Sequence, residues 1–236
     1  MANNEVFQYK QFTVCQKHAA MKVGTDADLL GTLAAGGHHI LDIGTGTGII
    51  SLMMAQRFPD ATIEAIDIDD NAIIDATENF ANSPFASRLS LEKISFQDFL
   101  KRNPEPIYDC IVCNPPYFDK STESNDLSRT RARHTSSLPF SVLIEGAYRL
   151  LKDEGVFSVC IPPEVLEEFS AECIFKGFWL KAMYKVKSIP EKEPKRYILV
   201  HKKGCPVTPD IQTYCMRNSD KSRSAWYNDL LRDFHI

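Results

Sequence analysis

No run of about 18 apolar residues occurs in this 236-residue chain, so a membrane-spanning helix of ordinary length is excluded. The first residues, Met1 to Val6, have neither the basic start nor the apolar stretch of a secretory leader, and a cytoplasmic location is the expectation. The seven cysteines are odd in number and scattered. Cys110 and Cys113 stand as C-x-x-C, but inside a predicted strand they point to opposite faces. No second pair stands at zinc spacing, and the six histidines show no ligand spacing either. The cysteines read as small buried apolar residues in a reducing compartment, and no metal is expected. Internal repeats and low-complexity segments are absent. The chain also lacks a dinucleotide fingerprint: counted from Gly44 or from Gly46, the sixth residue of G-x-G-x-x-G/A is Ile49 or Ser51, which disfavours NAD and FAD.

What is present is enough apolar material for a core. Hydrophobic residues make up 44% and aromatics 10%. A chain of this length buries roughly 70% of its unfolded surface without staples. One α/β domain, or one domain plus a short extension, is expected. The net charge of −4 argues against a nucleic-acid partner if taken as a total, but its distribution is uneven. Residues 60–110 hold eleven Asp or Glu against four Lys or Arg, whereas residues 176–203 hold nine Lys or Arg against two Glu. That separation reads either as a cationic face for phosphates or as a solvated lysine surface.

Apolar strand patterns at 39–43, 62–67, 89–94, 108–113 and 155–161 alternate with helical ones, which predicts a doubly wound, Rossmann-like, mostly parallel sheet. Two further strands, 178–187 and 195–202, flank a proline- and charge-rich loop. They predict seven strands in all, closed by an antiparallel hairpin strand. The spacing predicts helices over 49–57, 71–82, 139–151 and from Pro162-Pro163 to about 175. The tail after Gly204 is polar, and its last stretch reads as a helix over 222–234.

The strand Ile40-Leu-Asp-Ile43 runs into Gly44-Thr-Gly-Thr-Gly48. Glycines at 44, 46 and 48 let the backbone take positive φ and approach a ligand closely. Asp42 stands two residues before the first glycine. A carboxylate there would repel a pyrophosphate but suits a cationic, phosphate-free ligand such as the methionyl end of S-adenosyl-L-methionine. Asp67, followed by Ile68, ends the next strand 19 residues after Gly48, the distance one crossover helix needs. An acid at that strand end can take the two hydroxyls of a ribose. Asp69 and Asp70 either join it or cap the following helix. Asp98 either accepts the adenine amino group, with Phe99 near the base, or is a helix N-cap.

Asn114-Pro-Pro-Tyr117 closes the apolar run 107–113. Two prolines stop a strand, so the chain turns at the carboxyl edge of the sheet, where open α/β folds bind ligands. The Asn114 side chain and the Pro115 carbonyl can accept the hydrogens of a planar amine, while Tyr117, or else Phe118, stacks on its ring. Residues 118–137 form a long polar loop with Arg129, Arg131, Arg133 and His134, which either holds an RNA backbone or is a surface loop.

The glycine loop, Asp67, Asp98 and Asn114-Pro-Pro-Tyr117, in this order, resemble the class I S-adenosylmethionine-dependent methyltransferases. More narrowly, Lys10-Gln-Phe-Thr-Val14, Ala20-Met-Lys-Val-Gly-Thr-Asp26, Leu30-Gly31, Asn114-Pro-Pro-Tyr-Phe118 and Ala132-Arg-His-Thr135 resemble the tRNA1(Val) (adenine(37)-N6)-methyltransferase family, across most of residues 7–203. The resemblance implies an adenine beside the anticodon as substrate and a tRNA anticodon stem-loop as partner. It implies that Lys22, Thr25 and Asp26 lie over the cofactor. Taken alone, 23–26 reads only as a turn before a helix over 27–33, with Thr25 or Asp26 as its cap. Lys195 and Arg196 join the arginine loop as expected substrate contacts. The expected organisation is one domain over 1–236: a cofactor-covering segment (1–36), a catalytic core (37–203) and an extension (204–236). A monomer is favoured. Rival readings are methyl transfer to a guanine amine or a protein glutamine amide, and a non-catalytic module that holds cofactor and tRNA.

Overall fold

The computed structural model describes residues 5–115 and 138–236. Its centre is a sheet of eight strands: β3 (His39–Ile43), β4 (Thr62–Asp67), β5 (Leu89–Lys93), β6 (Tyr108–Cys113), β7 (Leu151–Ile161), β8 (Phe178–Lys187), β9 (Pro194–Lys203) and β10 (Asp210–Cys215). Their order is β10-β8-β9-β7-β6-β3-β4-β5. Strands β7, β6, β3, β4 and β5 are mutually parallel, and β9 enters antiparallel between β7 and β8. A separate hairpin of β1 (Val6–Gln8) and β2 (Thr13–Cys15) precedes the sheet.

The central strands read as continuous apolar runs because both faces are covered. Ile40, Ile63, Ala65, Cys110 and Val112 pack against α1 (Thr25–Leu33), α2 (Ile49–Arg57) and α3 (Asp70–Ala81). Leu41, Ile43, Ile66, Ile111 and Cys113 pack on the opposite face against α4 (Phe96–Arg102), α5 (Phe140–Leu150) and α6 (Leu166–Lys176). Cys110 and Cys113 therefore do face opposite sides. All seven cysteines are free thiols.

All seven expected strands are present. Strand β7 begins four residues early, at Leu151, and reaches its register with β6 through an irregularity in which Glu154 takes φ 66°. The eighth strand, β10, comes from the polar extension and lies parallel beside β8. It escaped the sequence pattern because it is an edge strand with no buried residue. The expected helix over 222–234 is reduced to α7 (Ala225–Leu230), capped by Ser224. No helix among the described residues is long and apolar enough to cross a membrane.

The two chain ends close on each other. Lys10 N donates to Phe234 O at 2.8 Å, and Tyr9 pairs with His235 in an antiparallel bridge. Tyr9 Oη donates to the buried Asp28 at 2.7 Å, and the His235 ring lies 3.2 Å from the other oxygen of that carboxylate.

Gly48 shows how tightly the glycine loop is seated. Its φ is 80°, and a Cβ there would stand 2.4 Å from the Phe80 ring. Strain from a side chain at positive φ adds to an overpacking clash, so Gly48→Ala is expected to cost roughly 2–5 kcal/mol. Thermal unfolding checks this; an unchanged melting temperature would contradict the packing described.

Candidate active site

Register places the proposed site residues in a row. Ile43 pairs with Cys113 of β6 on one side and with Ile66 of β4 on the other. The next residue of each strand is therefore Asn114, Gly44 and Asp67, side by side at the carboxyl edge. Neighbouring strands lie about 4.8 Å apart, so roughly 10 Å separates the outer two. Gly44 N and Thr45 N both donate to Ile66 O, at 2.9 and 3.1 Å, which pins the loop to this edge. Asn114 is half-buried and Pro115 buried.

The glycines leave an opening. Gly44 and Gly46 have φ of 72° and 58°, and a Cβ at either would meet nothing within 4 Å. That empty cradle, floored by backbone, is the space a ligand needs. Asp67 closes one end: its Oδ2 accepts from Gly46 N at 2.8 Å and its Oδ1 from Asp69 N at 2.9 Å. Ile68 beside it is 56% exposed, an apolar side chain turned outward at a strand end. Asp69 takes the capping alternative, accepting from Ala72 N at 2.8 Å, and Asp70 pairs with Lys93.

Asp42 differs from the expected direct contact. It is wholly buried beneath the loop, where Thr45 Oγ1 and Ser51 Oγ each donate to its Oδ2 at 2.7 Å. Its Oδ1 is buried with no hydrogen-bond partner. Burial, assisted by the charge of Asp67, raises its pKa to about 6, against the pull of the two hydroxyls. Asp42 is thus a negative charge set behind the cradle, acting by its field in a low-dielectric site. The buried hydroxyls of Thr45 and Ser51, three and nine residues after Asp42, are part of the site's support that sequence reasoning missed.

An Asp with a raised pKa in the fold binds more protons there than when unfolded. Between about pH 4 and pH 6 the fold is therefore favoured as pH falls, and the full cost of the buried charge, up to about 3 kcal/mol, is present above pH 6. Asp42→Asn should raise the melting temperature more at pH 7.5 than at pH 4.5. An equal shift at both pH values would contradict this.

Two expectations near the base position are corrected. Phe99 is fully buried in the core formed with Leu41, Ile43 and Ile66, leaving no ring face for a ligand. Asp98 is not the N-cap of α4; Ser95 is, its Oγ accepting from Asp98 N at 3.1 Å. Its carboxylate accepts from Ser95 Oγ at 2.8 Å and pairs with Lys101 at 2.7 Å. Those bonds and the Lys101 charge hold its pKa below the usual range.

The N-terminal segment lies along the same edge. Cys15 N donates to Asn79 Oδ1, and Asn79 Nδ2 donates to both Cys15 O and Thr47 O of the glycine loop, each at 2.8 Å. His18 N and Ala19 N donate to Asp75. Helix α1 starts two residues earlier than expected, and its N-cap is Gly24, not Thr25 or Asp26. Asp26 is instead held by Arg196, whose Nε lies 2.8 Å from both carboxylate oxygens. This makes Arg196 a strut between the segment and β9. Lys22 donates to Gln16 O, and Thr25 is the first residue of α1. Lys195 is exposed. Tyr117, Phe118, Arg129, Arg131, Arg133 and His134 lie outside the described residues. Among the described residues no cluster of three His, Cys, Asp or Glu could hold a metal ion.

Known proteins share the fold and the sequence family of this chain. The methyltransferase small domain family matches residues 18–161. A predicted O-methyltransferase from Agrobacterium tumefaciens shares the fold, with a TM-score of 0.68, 18% identity and coverage of 89% of this chain and 96% of that one. A Pyrococcus horikoshii protein solved in complex with MeSAdo shares it at a TM-score of 0.58, with 17% identity over 84% and 70%. Among sequence relatives, a Phocaeicola vulgatus protein is 46% identical over 84% of both chains. One from Bacteroides thetaiotaomicron is 40% identical over 99% of this chain and 98% of its own. Both are named tRNA1(Val) (adenine(37)-N6)-methyltransferase. With such identity carried across nearly the whole of both chains, the protein belongs to the tRNA1(Val) (adenine(37)-N6)-methyltransferase family.

Proposed function

We propose that the protein transfers a methyl group from S-adenosyl-L-methionine to N6 of adenine 37 in the anticodon loop of a valine tRNA, in the cytoplasm. One observation supports the reading beyond the names of its relatives: the strand register brings Asn114, the open glycine loop and Asp67 to adjacent positions at the carboxyl edge.

The residues present fit this cofactor. Asp67 suits the ribose hydroxyls and Ile68 an apolar base face, while Asp42 supplies a negative field for a cationic centre. S-adenosyl-L-methionine, when bound, supplies an electrophilic methyl carbon on a sulfonium that leaves as a neutral thioether. The protein's own task is to bring the amine there. A stacked adenine cannot reach the pocket, so it is turned out of the loop, at a cost of a few kcal/mol. Tyr117 returns roughly 1–3 kcal/mol of that by stacking, with Phe118 as the alternate ring.

The adenine amine is a weak nucleophile because its lone pair is shared with the ring. Asn114 Oδ1 and the Pro115 carbonyl accept its two hydrogens, favour a more tetrahedral nitrogen and stabilise the positive charge that develops there. The proton then leaves to water. The test is incubation with labelled cofactor and total tRNA, followed by nucleoside analysis and mapping. N6-methyladenosine at position 37 of valine tRNA is expected; label in another nucleoside or in protein would reject the assignment.

A further inference from the structure

The carboxyl edge continues past the active site into a region built jointly by the β8–β9 turn and the C-terminal extension. Met216 N donates to Lys187 O at 2.9 Å and Arg217 N to Ser188 O at 3.1 Å, which lays the turn 217–223 alongside the turn 188–193. The second turn is closed by an Arg217–Arg223 bridge and by Asn218 N to Ser222 O at 2.9 Å. Residues 187–196 and 217–223 together hold seven Lys or Arg against three acids in a chain whose net charge is −4.

Of those acids, Glu191 accepts from Ser219 and Asp220 from Ser222. Elsewhere, Lys93, Arg102, Lys152 and Lys202 sit against carboxylates. Among the described residues, Lys187, Lys192, Lys195, Arg217, Lys221 and Arg223 make no such pair. Arg223 is nevertheless braced: its guanidinium lies 4.6 Å from the Tyr227 ring centroid and 3.1 Å from His235 Nδ1. Tyr227 N in turn donates to Ser224 Oγ at 3.1 Å. The seventh cation, Arg196, is spent on Asp26.

We infer that this double turn is a phosphate-binding ridge for the stem of the tRNA whose loop base enters at Asn114, an inference that rests on the function proposed above. Cations that form no salt bridge with a carboxylate, on a fixed backbone, suit a polyanion: they give up no ion pair on binding and release its condensed counterions. The spacing fits. Strand β8 is three strands from β6 and β10 is four, about 14 and 19 Å at 4.8 Å each. The ridge therefore meets backbone well away from the flipped base, and its contacts are to phosphate.

The triple variant Lys192→Ala, Arg217→Ala and Lys221→Asn tests it. Lys221 has φ 68°, where Asn is tolerated better than Ala. Wild-type and variant are compared for binding of full-length tRNA across a salt series, with cofactor affinity and melting temperature measured on the same samples. The variant is expected to bind tRNA about 10-fold or more weakly near 0.15 M salt, with a log–log salt slope shallower by about 2 to 3. Cofactor affinity and melting temperature should not change. Equal slopes and affinities, with wild-type transfer to tRNA intact, would overturn the ridge alone. A wild-type protein that binds no tRNA would overturn both the ridge and the proposed function.

Discussion

Replacing Asn114 by Ala is expected to lower the methylation rate by roughly 100-fold or more while S-adenosyl-L-methionine binds almost as before. Asn114 stands one residue past β6, level with Gly44 in the register, where the proposed function has it meet the amine and not the bulk of the cofactor. Its contribution grows as charge builds on nitrogen, so its loss falls on the transition state. A residue whose removal lowers the rate and spares ground-state binding has that signature. Single-turnover methylation with saturating cofactor, alongside calorimetry, separates the two effects. Near-normal turnover would remove Asn114 from the chemistry.

The second large effect is at the other end of the row. Asp67→Ala should weaken cofactor binding about 10- to 100-fold, the loss of hydrogen bonds to a charged acceptor worth roughly 1.5–3 kcal/mol. The change acts twice. It removes the carboxylate offered to the ribose, and it frees Gly46 N, which Asp67 holds at 2.8 Å. Asp67→Asn keeps an acceptor for that amide, so it should recover part of the affinity through loop order alone. Calorimetry on both variants distinguishes the contributions, and unchanged affinity in Asp67→Ala would reject the assignment.

The strands that carry the site were legible because they are buried on both faces. Ile40–Ile43 and 107–113 read as apolar runs ended by glycine or proline, and those ends are where the ligand space opens. Strand β10 was not legible: it pairs with β8 only along one edge and buries no residue. The three-residue strands of the N-terminal hairpin are too short to show a period. Phe99 was misread because a sequence gives the order of residues after a strand but not the side of the sheet to which a short helix turns them. Asp42 was placed correctly on its strand, yet its neighbours Thr45 and Ser51 draw it inward, a consequence of loop folding. Arg196 shows the limit of reading charge alone. It lies within a cationic stretch, but its partner, Asp26, is 170 residues away.

A structure with S-adenosylhomocysteine bound tests the central claim most directly. The account predicts the ribose on Asp67, the chain of the ligand across Gly44 and Gly46, and the sulfur directed toward Asn114 and the Pro115 carbonyl. A sulfur turned away from Asn114, or a ligand seated elsewhere with the glycine cradle filled by protein, would contradict it.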